Sequence, residues 1–184
     1  MSHISTPYDR SYPWYVRLLF RLQRRRFGAE LEPARLWGRT PRVFAAMTAM
    51  YGALNRRSSP IEPSLRSLVQ VRVSQVNQCA HCIDLNSSVG LERGVARAKL
   101  LALGSPTERG AFSEREKAAL DYAEAMTDSN RRVGAEQISR LQEHFSDDAI
   151  VELTALIAFQ NMSSKFNAAL GVSAQDFCGV ARRE

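Results

Sequence analysis

Apolar residues recur at helical spacing along most of the chain, whereas the alternation typical of strands is scarce. The pattern predicts helices over about 12–27, 41–54, 62–76, 79–90, 91–103, 113–126, 136–145 and 146–169. Pro33 lies in a predicted loop, and Gly104 and Gly171 follow predicted helices as stops. The sequence therefore predicts an all-α fold.

Several side chains mark the predicted helix starts. Ser113 and Glu116 have the spacing of a capping box, and Ser146 precedes two acids at the start of the last helix. Asn77 is placed to cap the helix that begins near Cys79. In the helix over 41–54 the expected buried residues are Val43, Phe44, Met47, Met50 and Tyr51.

The first predicted helix is amphipathic and basic, with an apolar stripe of Trp14, Leu18, Leu19 and Leu22. Residues 1–60 hold eleven arginines against three acids, a net charge of +8, whereas the remainder carries −2. Such a helix can contact anionic lipid or nucleic-acid phosphate, or it can cover its own domain or a neighbouring subunit. Because no nucleic-acid-binding motif accompanies the charge, packing is favoured and nucleic acid is not an expected partner.

The length of 184 residues predicts an N-terminal basic arm and amphipathic helix over 1–40, followed by a helical domain over 41–184. No apolar run approaches the roughly 18 residues of a membrane span, and no signal peptide is recognisable. We therefore expect a cytoplasmic protein. In that compartment paired cysteines are more often catalytic or metal-binding than structural.

Cys79 and Cys82 form a C-x-x-C motif at the start of a predicted helix. The thiolate is the attacking species in thiol chemistry, and the free N–H groups of a first helical turn favour it. One residue can attack while the other resolves the product. The alternative is that both are small buried hydrophobes. His81 could assist the thiolate electrostatically or could be a hydrogen-bonding surface group.

A zinc site would need two ligands beyond the motif. The remaining cysteine and histidines, Cys178, His144 and His3, form no second close pair in sequence. No metal site is therefore predicted.

The chain resembles the carboxymuconolactone decarboxylase superfamily, specifically its AhpD-like (alkylhydroperoxidase D-like) branch, over roughly residues 41–172. The segments that carry the resemblance are 68–77, the Cys-Ala-His-Cys motif at 79–82, 112–120, 145–154 and 161–171. They occur in the family's order with matching spacing.

The resemblance implies an all-α AhpD-like helical bundle that forms a symmetric homo-oligomer, a trimer or hexamer. It also implies thiol-dependent peroxide reduction, with Cys82 as the peroxidatic cysteine and Cys79 as the resolving one. The expected partners are a peroxide or disulfide substrate and a thiol electron donor, and no cofactor is expected.

The chain departs from the family's proton relay at two positions. Asn86 stands where the family has a histidine, and Ser67 where it has a glutamate. Neither side chain titrates near neutral pH, although Asn86 can hydrogen-bond a sulfur or a water. Asp84, Glu62 or Glu152 could substitute if the fold brings one near, but Asp84 is expected to be a solvated helix residue.

Three functions therefore stay open at this point. The first is a thiol peroxidase or disulfide reductase that uses Cys82 and Cys79. The second is a non-catalytic or redox-sensing helical assembly that has lost its relay. The third, lactone decarboxylation, is less favoured because that branch of the superfamily does not rely on a cysteine pair.

Overall fold

The computed structural model describes residues 2–5 and 11–178, and every regular element within them is helical. The elements are α1 (Trp14–Phe27), α2 (Glu32–Trp37), α3 (Pro41–Leu54), α4 (Pro63–Val76), α5 (Ala80–Glu92), α6 (Arg97–Ala102), α7 (Glu114–Thr127), α8 (Ala135–Gln142) and α9 (Asp147–Ala169), with a 3₁₀ helix (Pro106–Ala111) between α6 and α7. The prediction of an all-α fold is confirmed.

Helix α4 is the centre of the bundle and packs against α5, α7 and α9. Its residues are buried nearly all round, which is expected for a helix enclosed on every side. Leu68 belongs to an apolar cluster with α6 and α7, whereas Val69 and Val73 belong to a second cluster with α9. The turn that follows α4 therefore delivers the cysteine motif into the interior.

Two of the three predicted caps are confirmed. The Ser113 side chain accepts the N–H of Glu116, whose carboxylate accepts the N–H of Ser113, and Ser146 caps α9. The prediction for Asn77 is wrong, because its amide donates to the Val73 carbonyl and to Asn161 instead. Cys79 takes the N-cap position of α5.

The predicted buried faces of α1 and α3 are partly wrong. In α1 the buried residues are Val16 and Phe20, while Trp14, Leu18 and Leu22 are exposed. Val16 and Phe20 cluster with Trp37 and Phe44, and these contacts select one of two overlapping apolar stripes. In α3 Phe44 is buried, but Val43, Met50 and Tyr51 are exposed because a narrow face of the helix meets its neighbours.

Two boundaries also differ from the prediction. The segment around Pro33 forms the short helix α2, with the proline in its first turn, where a missing N–H has no cost. The single helix expected over 91–103 is divided, because Gly94 has a φ of 83° and α6 begins only at Arg97. Among the described residues, no helix is both long and apolar enough to cross a membrane.

Candidate active site

Cys79 and Cys82 are joined by a disulfide at the start of α5, with their Cα atoms 5.3 Å apart. Both are buried, and the Cys79 sulfur accepts the backbone N–H of Cys82 at 3.3 Å. The preceding residue, Gln78, has a φ of 53°, an uncommon conformation for a side chain other than glycine. This tight turn places the pair on the first turn of α5, as the sequence predicts.

Cys82 lines a cavity of about 530 Å³, which lies within the size range of small-molecule sites. Helices α1, α2, α3, α5 and α9 all contribute to its walls, and Cys79 is not among the lining residues. The large apolar side chains of the wall are Leu19, Leu22, Phe27, Leu31, Trp37, Phe44, Met47, Tyr51, Leu85 and Phe159. The basic first helix is thus part of the cavity wall, to which it contributes Leu19 and Leu22 of its apolar stripe.

Asn167 on α9 contacts the Cys82 sulfur directly. Its Nδ2 donates to the Cys82 sulfur at 3.3 Å, and the side chain is 2% exposed. Its Oδ1 has no hydrogen-bond partner among the described residues, and Asn167 lines the cavity. Sequence reasoning missed this residue as part of the site, since it lies 85 positions from Cys82.

His81 is 1% exposed and lines the cavity, so the expectation of a surface imidazole is wrong. Burial lowers the pKa of its ring, outweighing Asp84, the Ser173 backbone and Glu32, which favour protonation. Although the Ser173 backbone lies near, neither ring nitrogen has a partner with full hydrogen-bond geometry among the described residues. A ring that is neutral at pH 7 offers a proton acceptor rather than a positive charge.

The two departures from the family's relay, Ser67 and Asn86, are both hydrogen-bonded to other side chains. Ser67 is buried, and its hydroxyl accepts Nη1 of Arg93 at 3.2 Å. Asn86 lines the cavity and donates to the Ser74 hydroxyl at 3.2 Å. That hydroxyl also accepts Nε2 of Gln160 and donates to a backbone carbonyl within α4, so the network is complete without a carboxylate.

Asp84 is buried rather than solvated, contrary to the sequence-based expectation. Its carboxylate accepts the backbone N–H groups of Gln175, Phe177 and Cys178 at 3.0, 3.0 and 2.8 Å. Asp84 therefore anchors the segment that follows α9, and it is absent from the cavity lining.

The other two candidate carboxylates are also engaged elsewhere. Glu62 pairs with Arg115, and Glu152 pairs with Arg56 and accepts the Ser59 hydroxyl. Neither lines the cavity. Within residues 2–5 and 11–178 no cluster of three or more His, Cys, Asp or Glu residues has metal-binding geometry.

Comparison with known proteins places this geometry in a family. The model of the carboxymuconolactone decarboxylase family matches residues 41–125. YnjA of Escherichia coli (strain K12), an uncharacterized protein, is 40% identical over 162 residues, covering 88% of this chain and 89% of YnjA.

Solved structures share the fold at lower identity. The AhpD core of a peroxidase-related protein from Ralstonia eutropha JMP134 superposes with a TM-score of 0.86 at 20% identity, over 96% of this chain and 94% of that one. The debrominase Bmp8, in complex with 2,3,4-tribromopyrrole, has a TM-score of 0.83 at 22% identity, over 97% and 96% of the two chains. This chain shares its fold with these structures. The chain therefore belongs to the carboxymuconolactone decarboxylase family.

Proposed function

We propose that the protein is a thiol-dependent peroxidase in which Cys82 and Cys79 alternate between dithiol and disulfide. The observation that carries the proposal is the position of the pair on the first turn of α5, with Cys82 facing a cavity of about 530 Å³. A thiolate there gains from the free N–H groups of the helix start. Fold and family are in keeping with peroxide chemistry.

Cys82 is the attacking residue in this proposal, since it lines the cavity and receives the N–H of Asn167. Its thiolate attacks one peroxide oxygen, the O–O bond breaks, and the alcohol leaves with one proton, so that Cys82 becomes a sulfenic acid. The Cys79 thiol then displaces water from that sulfenic acid and forms the disulfide. An external dithiol restores both thiols by exchange.

His81 is the candidate proton acceptor for the Cys82 thiol. It lines the cavity, burial keeps its pKa below the usual value, and its ring nitrogens are without full hydrogen bonds to described residues. Asn86 would orient a substrate oxygen or a water from the same wall. Asp84 acts through packing, since its oxygens are occupied by backbone N–H groups.

Assembly into a homo-oligomer in the cytoplasm belongs to the same proposal. Trp14, Leu18, Val43 and Met50 are large apolar residues exposed on α1 and α3, and such surface is commonly covered by another subunit. Light scattering coupled to size-exclusion chromatography would show a mass above that of the 20.6 kDa chain. A monomer at all concentrations would contradict this part.

The peroxidase proposal is tested by following hydroperoxide consumption with dithiothreitol as donor. Cys82→Ser is expected to lose all turnover, and Cys79→Ser is expected to stall after one oxidation because no partner resolves Cys82. Cys178→Ser is the matched control, since Cys178 is buried outside the cavity lining and should leave the rate unchanged. Equal rates for wild type and Cys82→Ser would refute the proposal and favour a non-catalytic role.

The aromatic wall of the cavity favours a second candidate, reductive dehalogenation of a halogenated ring. In that reaction the two thiols supply two electrons and a proton to the carbon, bromide leaves, and the disulfide forms. The debrominase Bmp8 shares the fold. Bromide release from a bromopyrrole by the reduced protein, without peroxide consumption, would replace the first proposal with this one.

A further inference from the structure

Arg93 is a cavity-lining arginine whose hydrogen bonds go to neutral groups. It follows α5 directly, where Nη1 donates to the Ser67 hydroxyl at 3.2 Å and Nη2 donates to Oδ1 of Asn55 at 2.8 Å. No carboxylate among the described residues forms an ion pair with it. A guanidinium has five N–H donors, so further donors stay available to a ligand.

Arg26 offers a comparison within the same cavity. It lies on α1 and forms an ion pair with Glu92, which also lines the cavity. The charged residues of the lining are Arg26, Arg93 and Glu92, which gives a net charge of +1. Since Glu92 is matched by Arg26, the uncompensated charge is that of Arg93.

A second guanidinium lies close enough to Arg93 to interact with its charge, although it is outside the cavity lining. Arg66 on α4 is 4% exposed and donates to the carbonyls of Leu54 and Arg56. Burial lowers the pKa of Arg66, and the charge of Arg93 lowers it further, against smaller opposing effects of Glu152 and Tyr51. Because the charges of Arg66 and Arg93 repel each other, an anion bound near Arg93 would stabilise both.

The cavity lining also contains the redox residue Cys82 and a large apolar surface. Cys82, His81 and Asn167 are buried and line the cavity. The imidazole nitrogens lack full hydrogen bonds to described residues although the Ser173 backbone lies near, and the Asn167 Oδ1 has no partner among those residues. Aromatic and aliphatic side chains form much of the remaining wall. The cavity thus combines a redox group, an apolar wall and an uncompensated cation.

We propose that the cavity binds an amphiphilic organic carboxylate, with its apolar chain against the aromatic wall and its carboxylate on Arg93. The inference rests on the proposed function and narrows it, because the peroxide substrate would then be a carboxylate-bearing organic hydroperoxide rather than hydrogen peroxide. Arg93 is a specificity-determining residue in this arrangement. It selects the substrate and takes no part in the O–O cleavage.

Binding to the oxidised protein tests the inference without any turnover. Dodecanoate and dodecanol, each below its aggregation limit, are titrated by calorimetry into wild type, Arg93→Gln, Arg93→Lys and Arg97→Gln. Arg93→Gln is expected to weaken dodecanoate binding roughly tenfold and to change dodecanol binding less than twofold, as for one charge-assisted hydrogen-bonded contact. Arg93→Lys should recover part of the loss, because it keeps the charge.

Arg97→Gln is the charge-matched control, since Arg97 is exposed on α6 outside the cavity and should bind both probes as wild type does. Equal weakening of both probes by Arg93→Gln would mean a structural role and would overturn the inference. So would a wild-type protein that binds neither probe, or one whose binding disappears as the chain self-associates, since a second copy would then fill the cavity.

A salt titration of the wild type gives a readout that needs no variant to fold. Dodecanoate binding should weaken severalfold on raising the salt concentration, while dodecanol binding should hold or strengthen. Identical salt dependence for the two probes would overturn the inference. The cysteine proposal is judged separately, because peroxide consumption by wild type against Cys82→Ser does not depend on either probe.

Discussion

Two buried polar residues of α5, Asp84 and His81, differ in how completely they are hydrogen-bonded. Asp84 faces the segment after α9, and its charge is matched by three backbone N–H groups. His81 lines the cavity and also lies near the Ser173 backbone and the Phe177 ring. It is as buried as Asp84, yet its ring nitrogens have no full hydrogen bonds to described residues. Burying a polar group without a partner costs free energy, so proteins keep such groups where a ligand or a reaction uses them.

This difference separates residues that hold the fold from residues that are available for chemistry. The carboxylate nearest to Cys82 in sequence belongs to the first class, and a neutral imidazole and a neutral amide belong to the second. The cavity therefore has groups that can accept a proton or a hydrogen bond. At the position where the family has a glutamate, this chain has Ser67, whose hydroxyl accepts a hydrogen bond from Arg93.

The largest expected effect concerns Asp84, whose carboxylate accepts three backbone N–H groups. Asp84→Ala removes the buried acceptor of three backbone N–H groups, of which the one on Cys178 is buried, and should lower the free energy of unfolding by about 3–5 kcal/mol. Urea unfolding followed by circular dichroism measures the change. Asp84→Asn keeps one acceptor oxygen and should lose less.

Asp121→Ala serves as the control for that measurement. Asp121 pairs with the half-exposed Arg109 and Arg140 on the surface, where ion pairs contribute about 0–1 kcal/mol. If Asp84→Ala lowered the free energy of unfolding no more than Asp121→Ala, the contrast drawn between Asp84 and His81 would be wrong.

A smaller effect on stability is expected from the titration of His81, whose ring nitrogens lack full hydrogen bonds to described residues. Burial lowers the pKa of His81 in the folded protein below its usual 6.5, whereas the unfolded chain takes up the proton near that value. The unfolded state thus binds more protons as the pH falls below 6.5, and stability decreases there. Between about pH 7 and pH 5 the slope should exceed that of His81→Gln by up to about 1.4 kcal/mol per pH unit.

The measurement is a series of urea unfolding curves across that pH range. Wild type and His81→Gln are compared at each pH. A His81→Gln protein with the wild-type slope would show that the ring is protonated or solvated in the folded protein. That result would contradict a buried, neutral His81.

The smallest expected effect is on the rate of Cys82 oxidation, and it concerns Asn86, which stands where the family has a histidine. Asn86→His places a titratable group on the cavity wall beside Cys82 and should raise the rate of Cys82 oxidation by peroxide about tenfold, less than a fully oriented general base provides. Stopped-flow fluorescence of the reduced protein gives the rate constant. Asn130→His, in an exposed loop, is the control. A rate unchanged by Asn86→His would mean that proton transfer from Cys82 is not limited by position 86.

Much of the fold could be predicted from the sequence because long helices have strong periodic patterns and local caps. The start of α9 at Ser146 and the capping box at Ser113 rest on contacts within one turn. The rotation of α1 could not be predicted, since two stripes overlap and only contacts with Trp37 and Phe44 favour Val16 and Phe20. The division at Gly94 depends on a single backbone conformation.

The candidate site divides in the same way. The cysteine pair is local, so its position at a helix start follows from spacing and the surrounding pattern. Asn167 reaches Cys82 across 85 positions, and the partners of Asp84 lie more than 90 positions away, so no local pattern identifies them. Helix α1 as a cavity wall is likewise a result of tertiary packing.

The contacts of Asp84 also make the burial of α5 depend on the order of synthesis. Gln175, Phe177 and Cys178 are the last of the described residues to leave the ribosome, and until then the carboxylate has none of these three backbone partners. A nascent or truncated chain that ends before them therefore exposes a charged helix beside the cysteine pair. In such chains the reduced pair should react faster with thiol reagents than in the 184-residue chain.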